Sequence, residues 1–210
     1  VENIIFLMEF QPKLIVIACN TVSSTVLGYL KSLFNIPIIG VIEPGVKSAL
    51  EATRNNRIGV IGTTATIKSS AYVNRIKSQS SDTEVFTAAC PLFVPLAEEG
   101  WITGKIPRLI AEHYLAGLKE KKIDTLLLGC THYPLLSEPI HSVMGKGVSI
   151  IDSALSSAGE AKLFLSEELL LNRDGESRVK FFVTDAVDKF RRVGKIFLRR
   201  EIEDVTLVRR

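Results

Sequence analysis

Leu14-Ile15-Val16-Ile17-Ala18-Cys19-Asn20-Thr21 is an apolar run that ends on a small residue, a thiol and two polar neighbours. Leu126-Leu127-Leu128-Gly129-Cys130-Thr131-His132 repeats that design in the second half of the chain. After each thiol come a helical segment and another apolar run, Ile36 to Val41 in one case and Val148 to Ile151 in the other. A doubled strand–thiol–helix unit predicts two similar lobes facing each other, with one thiol on each. Two opposed thiols across a small molecule can take a proton from one face of a carbon and return it to the other.

Working outward, short runs rich in Ile and Val recur at 14–18, 36–42, 57–61, 84–89, 124–128, 148–151 and 179–183. Helical periodicity fills 22–34, 65–78, 105–121, 135–144, 154–171 and 186–199, and Ile4 to Met8 reads as the end of an amphipathic helix. Alternating strands and helices, with strands apolar almost throughout, predict parallel sheets covered on both faces. Ligands bind such sheets at the carboxyl ends of the strands, where Cys19 and Cys130 both fall. Pro44-Gly45 and Asp152-Ser153 mark the expected crossings between lobes. The first lobe is then residues 1–43 with 153–210, and the second is 44–152.

Bulk properties narrow the function. At 210 residues the chain can bury a substantial core. Its 26 basic and 23 acidic side chains leave a net charge of +3, with no basic stripe carrying interleaved aromatics, which argues against nucleic acid. No apolar run approaches the ~20 residues of a membrane span. Three cysteines without dense spacing argue for a reducing compartment, hence a cytoplasmic location, and against a disulfide scaffold. There is no C-x-x-C, no H-E-x-x-H and no paired-histidine spacing, so no metal is expected. The symmetry itself predicts a fragment. Before Cys19 the first half is shorter by about 55 residues than the second half before Cys130, or one or two strand–helix units.

A lone cysteine at a strand end is usually core filler, and the matched pair is what raises Cys19 and Cys130 above that. The following residues open helices, whose free N–H groups, with Asn20, Thr21 and Thr131, suit a carboxylate. The same positive terminus is expected to lower the thiol pKa. Cys90 precedes Pro91, lacks this arrangement and reads as packing. His132 is placed either to assist Cys130 or merely to bond a backbone carbonyl, and His113 and His141 read as surface or packing residues. Gly62-Thr63-Thr64-Ala65-Thr66-Ile67-Lys68-Ser69 has the outline of a phosphate loop, but Ile67 stands where the second glycine belongs, leaving a hydroxyl-rich turn suited to a small carboxylate. Glu98-Glu99 beside Phe93, Val94 and Leu96 is either a functional carboxylate pair or a solvated helix end.

Taken together, Ala18-Cys19-Asn20-Thr21 and Gly129-Cys130-Thr131-His132-Tyr133-Pro134 resemble the two signature motifs of bacterial glutamate racemases, in the aspartate/glutamate racemase family. Cys90 to Leu96 with Glu98 to Trp101, Ile58 to Thr63, and Phe181 to Asp185 resemble further stretches of it, in order along the chain. The resemblance implies a cofactor-independent enzyme that interconverts L- and D-glutamate and supplies D-glutamate for peptidoglycan. It implies Cys19 and Cys130 as the two acid/base thiols, His132 as an aid to Cys130, and Glu98 (or Glu99 in an alternative register) as an auxiliary carboxylate. It implies Asn20, Thr21, Thr63, Thr66 and Thr131 as substrate contacts. Two pseudo-twofold lobes with the site between them, and a homo-oligomer, are further expectations. The family's Asp-Ser-Gly strand–loop and Pro-Tyr-Gly segment are not among these residues. Racemisation of aspartate or another small acidic amino acid, and a non-catalytic binding role, are the competing readings.

Overall fold

The computed structural model describes residues 1–172, 175 and 177–208; residues 173, 174, 176, 209 and 210, within the range expected for the first lobe, lie outside it. The elements run α1 (Glu2–Met8), β1 (Ile15–Ile17), α2 (Asn20–Thr25), α3 (Leu27–Leu33), β2 (Ile38–Gly40), α4 (Ile42–Ala52), β3 (Arg57–Gly62), α5 (Thr64–Lys68), α6 (Ala71–Gln79) and β4 (Glu84–Ala89). They continue with α7 (Phe93–Glu98), α8 (Lys105–Glu120), β5 (Thr125–Gly129), a 3-10 turn (Tyr133–Leu136), α9 (Ser137–Met144), β6 (Ser149–Asp152), α10 (Ser153–Glu167), β7 (Phe181–Val183), α11 (Val187–Leu198) and β8 (Val205–Leu207). Every strand pair is parallel: β1 with β2, β7 with β8, and a four-stranded sheet in the order β4-β3-β5-β6. The chain is thus α/β, as the alternation predicts.

The four-stranded sheet explains its own sequence. Every residue of β5 is buried, and so are five of six in β3, because helices cover both faces. On one face Ile42, Val46 and Ala49 of α4 and Tyr72 and Ile76 of α6 pack on Ile58, Val60 and Leu127. On the other, Phe93, Ala111, Leu115, Tyr133, Leu136 and Ile140 pack on Ile61, Leu126 and Leu128. The period-2 alternation sends Val60 and Ile61 to opposite faces. Each such fully buried aliphatic side chain contributes roughly 1.5–3 kcal/mol of transfer free energy. The β1–β2 pair has a smaller core of Ile4, Ile15, Leu30 and Ile38.

Some expected elements differ. The helix read over 22–34 is two, broken at Val26, whose φ is −132°. Thr21 to Val26 is a run of hydroxyl and β-branched residues, poor helix formers, and Ser24 and Thr25 donate to the Thr21 carbonyl at 2.9 and 2.7 Å instead of leaving it to the helix. The helix read over 65–78 breaks likewise at Ser70, which is left-handed at φ +57°. Pro44 and Gly45 lie buried in the first turn of α4. Proline is tolerated there because its missing N–H would have had no partner within the helix. Strand β8 was not expected; Val205-Thr206-Leu207 is too short to show a period.

Candidate active site

Both thiols emerge from carboxyl ends of parallel strands. Cys19 follows β1, is exposed, and caps α2 with extended backbone at φ −70° and ψ 117°. Cys130 directly follows β5 and is 7% exposed. The two are close enough that a negative charge on Cys19 opposes ionisation of Cys130. The thiol of Cys130 is nonetheless governed by burial, which pushes its pKa up. The N–H groups of His132 and Tyr133 and the Thr131 hydroxyl pull it down, and a charge on Cys19 pushes it up again. The expectation that a helix start would lower this thiol's pKa is therefore wrong for Cys130. A 3-10 turn supplies two N–H groups, and loss of solvent outweighs them.

The turn after Cys130 is rigidly held. Tyr133, fully buried, donates to the Cys90 carbonyl at 2.9 Å and meets Phe93 edge-on at 5.2 Å between ring centres. Cys90 itself is buried in this core, its thiol pushed up to about 12 chiefly by burial, with the charge on Cys130 adding to it. It packs, as the sequence suggests.

From Cys130 a chain of polar groups leads outward. His132 Nδ1 lies 3.9 Å from the Cys130 sulfur and 3.4 Å from the Thr131 hydroxyl. His132 Nε2 lies 3.4 Å from Glu98 Oε1, and Glu98 Oε2 accepts from Lys189 Nζ at 2.6 Å. The Lys189 hydrogen bond above all holds the Glu98 carboxyl below its ordinary pKa; desolvation opposes it, and the charges of Lys189 and His132 add to the lowering. Glu98 is the last residue of α7, half-buried and ion-paired through both oxygens. Glu99 points elsewhere, to Arg192 at 3.7 Å. His113 and His141 are exposed and stand apart from this chain.

Beside Cys19 the starts of α2 and α5 come together. Thr21, Thr63 and Thr66 form a closed triangle of hydroxyls, with oxygens 2.9, 3.0 and 3.1 Å apart. Thr63 also caps α5, accepting from the Thr66 N–H at 3.2 Å. Asn20, 2% exposed, donates its side-chain amide to the Tyr72 hydroxyl at 2.7 Å, while its Oδ1 is buried without a partner. A cleft of about 680 Å³ opens alongside. Ala18 and Thr131, neighbours of the two cysteines, line it with Asp152, Ser153, Phe197 and Arg199.

The structure therefore brings Asn20, Thr21, Thr63 and Thr66 together beside Cys19, and Thr131, His132 and Glu98 beside Cys130. Sequence reasoning missed Tyr72, Lys189 and Arg199. Tyr72 lies on α6 and Lys189 on α11, and nothing local to either segment distinguishes them; only the packing of those helices does. Among the described residues no group of three or more His, Cys, Asp or Glu side chains is placed to hold a metal ion. No helix among them is long and apolar enough to cross a membrane.

Comparison with known proteins gives a consistent picture. The Asp/Glu/Hydantoin racemase family model matches residues 7–161. A glutamate racemase of Chlorobaculum tepidum is 47% identical over 209 residues, covering 99% of this chain and 77% of that protein. One from Aquifex pyrophilus is 48% identical over 196 residues, covering 93% and 73%. Among solved structures, a glutamate racemase of Francisella tularensis in complex with D-glutamate superposes with a TM-score of 0.89 at 38% identity, covering 97% of this chain and 76% of that one. A glutamate racemase isoform of Bacillus anthracis gives 0.91 at 34% identity, covering 99% and 77%.

Proposed function

This chain belongs to the Asp/Glu/hydantoin racemase family, and from that premise we propose that it interconverts L- and D-glutamate by a two-thiol, cofactor-independent mechanism. What supports this reading is that Cys19 and Cys130 both follow carboxyl ends of parallel strands, with their chain neighbours Ala18 and Thr131 lining one cleft. A two-base reaction needs a thiolate to remove the α-proton on one face and a thiol to deliver a proton on the other.

The α-proton of an amino acid is very weakly acidic, so the developing carbanion needs donors on its carboxylate in a water-poor pocket. The Thr21–Thr63–Thr66 triangle and Thr131 are the donors we assign to the substrate carboxylates, with Asn20 as a further contact. His132 prepares Cys130 by exchanging a proton with its sulfur. Glu98, kept ionised by Lys189, stabilises the charged imidazole. Proton transfer of this kind contributes about 10²–10⁴-fold to rate. Cys19 and Cys130 take the two roles in turn, one for each enantiomer. The lobes at residues 1–43 with 153–210 and 44–152 enclose the substrate. We assign the product D-glutamate to peptidoglycan synthesis, in a cytoplasmic homo-oligomer.

The test is optical. L- and D-glutamate, and separately L- and D-aspartate, are incubated with the protein and followed by circular dichroism. Loss of signal with glutamate, and its abolition by Cys19→Ala and by Cys130→Ala, is the expected result. Loss with aspartate alone would replace the substrate. Near-normal turnover in either single-thiol variant would overturn the two-thiol mechanism, and no change with any substrate would leave a binding role.

A further inference from the structure

Tyr72 is a buried ionisable group that the mechanism above does not use, and it hydrogen-bonds Asn20, the residue after the first thiol. It is 2% exposed, at the start of α6. Its ring occupies a slot made by two glycines. A methyl group placed on Gly129, the last residue of β5, would lie 3.1 Å from one ring carbon, and one on Gly45 of α4 would lie 3.8 Å from another. The slot fixes the ring, and the ring carries the hydroxyl to Asn20. Burial above all holds the phenol far above its ordinary pKa; the Asn20 amide and the Ser153 hydroxyl lower it, and charges on Cys130 and Asp152 raise it. The hydroxyl is thus neutral under working conditions and is no proton carrier.

What it does to Asn20 follows from hydrogen-bond bookkeeping. A primary amide can be seated two ways round, and a buried one chooses by its partners. A phenol oxygen 2.7 Å away receives the amide Nδ2. Oδ1 is left buried with no donor. An unmet buried acceptor is destabilising, and one kept in a folded protein calls for an explanation, here a donor that a ligand brings.

We infer that Tyr72 is a positioning residue whose hydroxyl, held in the Gly45–Gly129 slot, fixes the Asn20 amide so that Oδ1 is presented as the acceptor for an N–H donor of the ligand beside Cys19. Tyr72 touches no reacting atom; it acts through Asn20. For the ligand's identity the inference rests on the glutamate reading, in which the ammonium group is the donor. For the orientation of the amide it does not.

Tyr72→Phe removes one oxygen and keeps the ring in its slot. Two readouts follow. In protein labelled with ¹⁵N-asparagine, the Asn20 side-chain protons, assigned by their loss in Asn20→Ala, exchange slowly with water in the wild type. They exchange at least about tenfold faster in Tyr72→Phe, once the acceptor is gone. In turnover, Tyr72→Phe lowers kcat/KM for glutamate about tenfold, while Tyr72→Phe/Asn20→Ala is no worse than Asn20→Ala alone, because the residues act as one unit. An Asn20 amide that exchanges freely in the wild type would overturn the proposal without any variant. So would slow exchange left unchanged by Tyr72→Phe, or a full independent loss when Tyr72→Phe is added to Asn20→Ala. If the wild type does not racemise glutamate, the functional reading fails on its own, and the exchange measurement still decides the role of Tyr72.

Discussion

Replacing Gly129 by alanine puts a methyl group against the strand that flanks the second thiol. That Cβ would lie 2.7 Å from the Ile61 carbonyl oxygen and 3.1 Å from the Tyr72 ring. The first obstacle is backbone of β3 inside the ladder, where Gly62 pairs with Gly129 and Ile61 with Leu128, so it cannot turn aside as a side-chain tip would. Overpacking a well-filled core costs about 1–3 kcal/mol, and a rigid obstacle places this case near ~3 kcal/mol. At ~2–4 °C per kcal/mol for a chain of this size, the thermal midpoint falls by about 6–12 °C. Cys130 is the next residue, so displacement of the strand end also moves the thiol, and a shift of order 1 Å costs about 10²-fold in rate. Gly117→Ala in α8 is the control: a Cβ there meets nothing within 4 Å, and helix propensity predicts a gain of ~0.5–1 kcal/mol. Thermal unfolding by circular dichroism and glutamate turnover are read on both. Equal midpoints for the two variants, or undiminished turnover in Gly129→Ala, would refute the reasoning.

Three further predictions test the site and its frame. His132→Asn lowers kcat about 10²-fold with little change in KM, because the imidazole moves protons and does not hold substrate; a pure KM effect contradicts the assignment. Lys189→Met removes the first cause of the depressed Glu98 pKa, so the acid limb of the kcat profile moves to higher pH. The shift is small because the pair is partly solvated, and a shift to lower pH would contradict the sign. Asp124 accepts from the Thr53 hydroxyl, the N–H groups of Arg54 and Asn55, and the Thr125 hydroxyl at 2.7 to 3.0 Å. Burial alone would raise its pKa, but these four bonds outweigh burial and hold it below the ordinary value. Its stabilisation is complete above the unfolded pKa of about 3.9 and is lost as pH falls through the folded value. Asp124→Asn therefore costs ~1–2 kcal/mol at pH 7, and denaturant titrations of the two proteins converge below pH ~4.

Much of this fold was legible because its strands are buried on both faces. Residues 124–128 and 57–61 stand out as apolar runs without needing a partner to explain them, and they match β5 and β3 to within a residue at each end. The breaks at Val26 and Ser70 were not legible. Apolar periodicity carries across them, whereas hydroxyl-to-backbone bonds and one left-handed residue decide where the helices stop. The positions of Cys19 and Cys130 at strand ends were readable from the repeated runs, and those of Asn20, Thr21, Thr63 and Thr66 at helix starts from the turns that follow strands. Tyr72 and Lys189 were not, since each meets the site through a helix whose own sequence only says which face is apolar. The pKa direction of Cys130 was misjudged for a related reason. N–H groups at a helix start are visible in a sequence, but the depth of burial that outweighs them is a property of the assembled core.

The triangle of Thr21, Thr63 and Thr66 has three oxygens, three short contacts and three protons. Each hydroxyl brings one proton that can rotate about its own bond. The protons can therefore run round the ring in either sense, each oxygen giving one and receiving one, with no donor left over. The ring is thus satisfied as it stands, and under the proposed function a bound carboxylate would draw protons from it by reordering hydrogens alone. It follows that the three hydroxyls count as one object: changing any one threonine to valine opens the circuit, and changing a second adds less than the first.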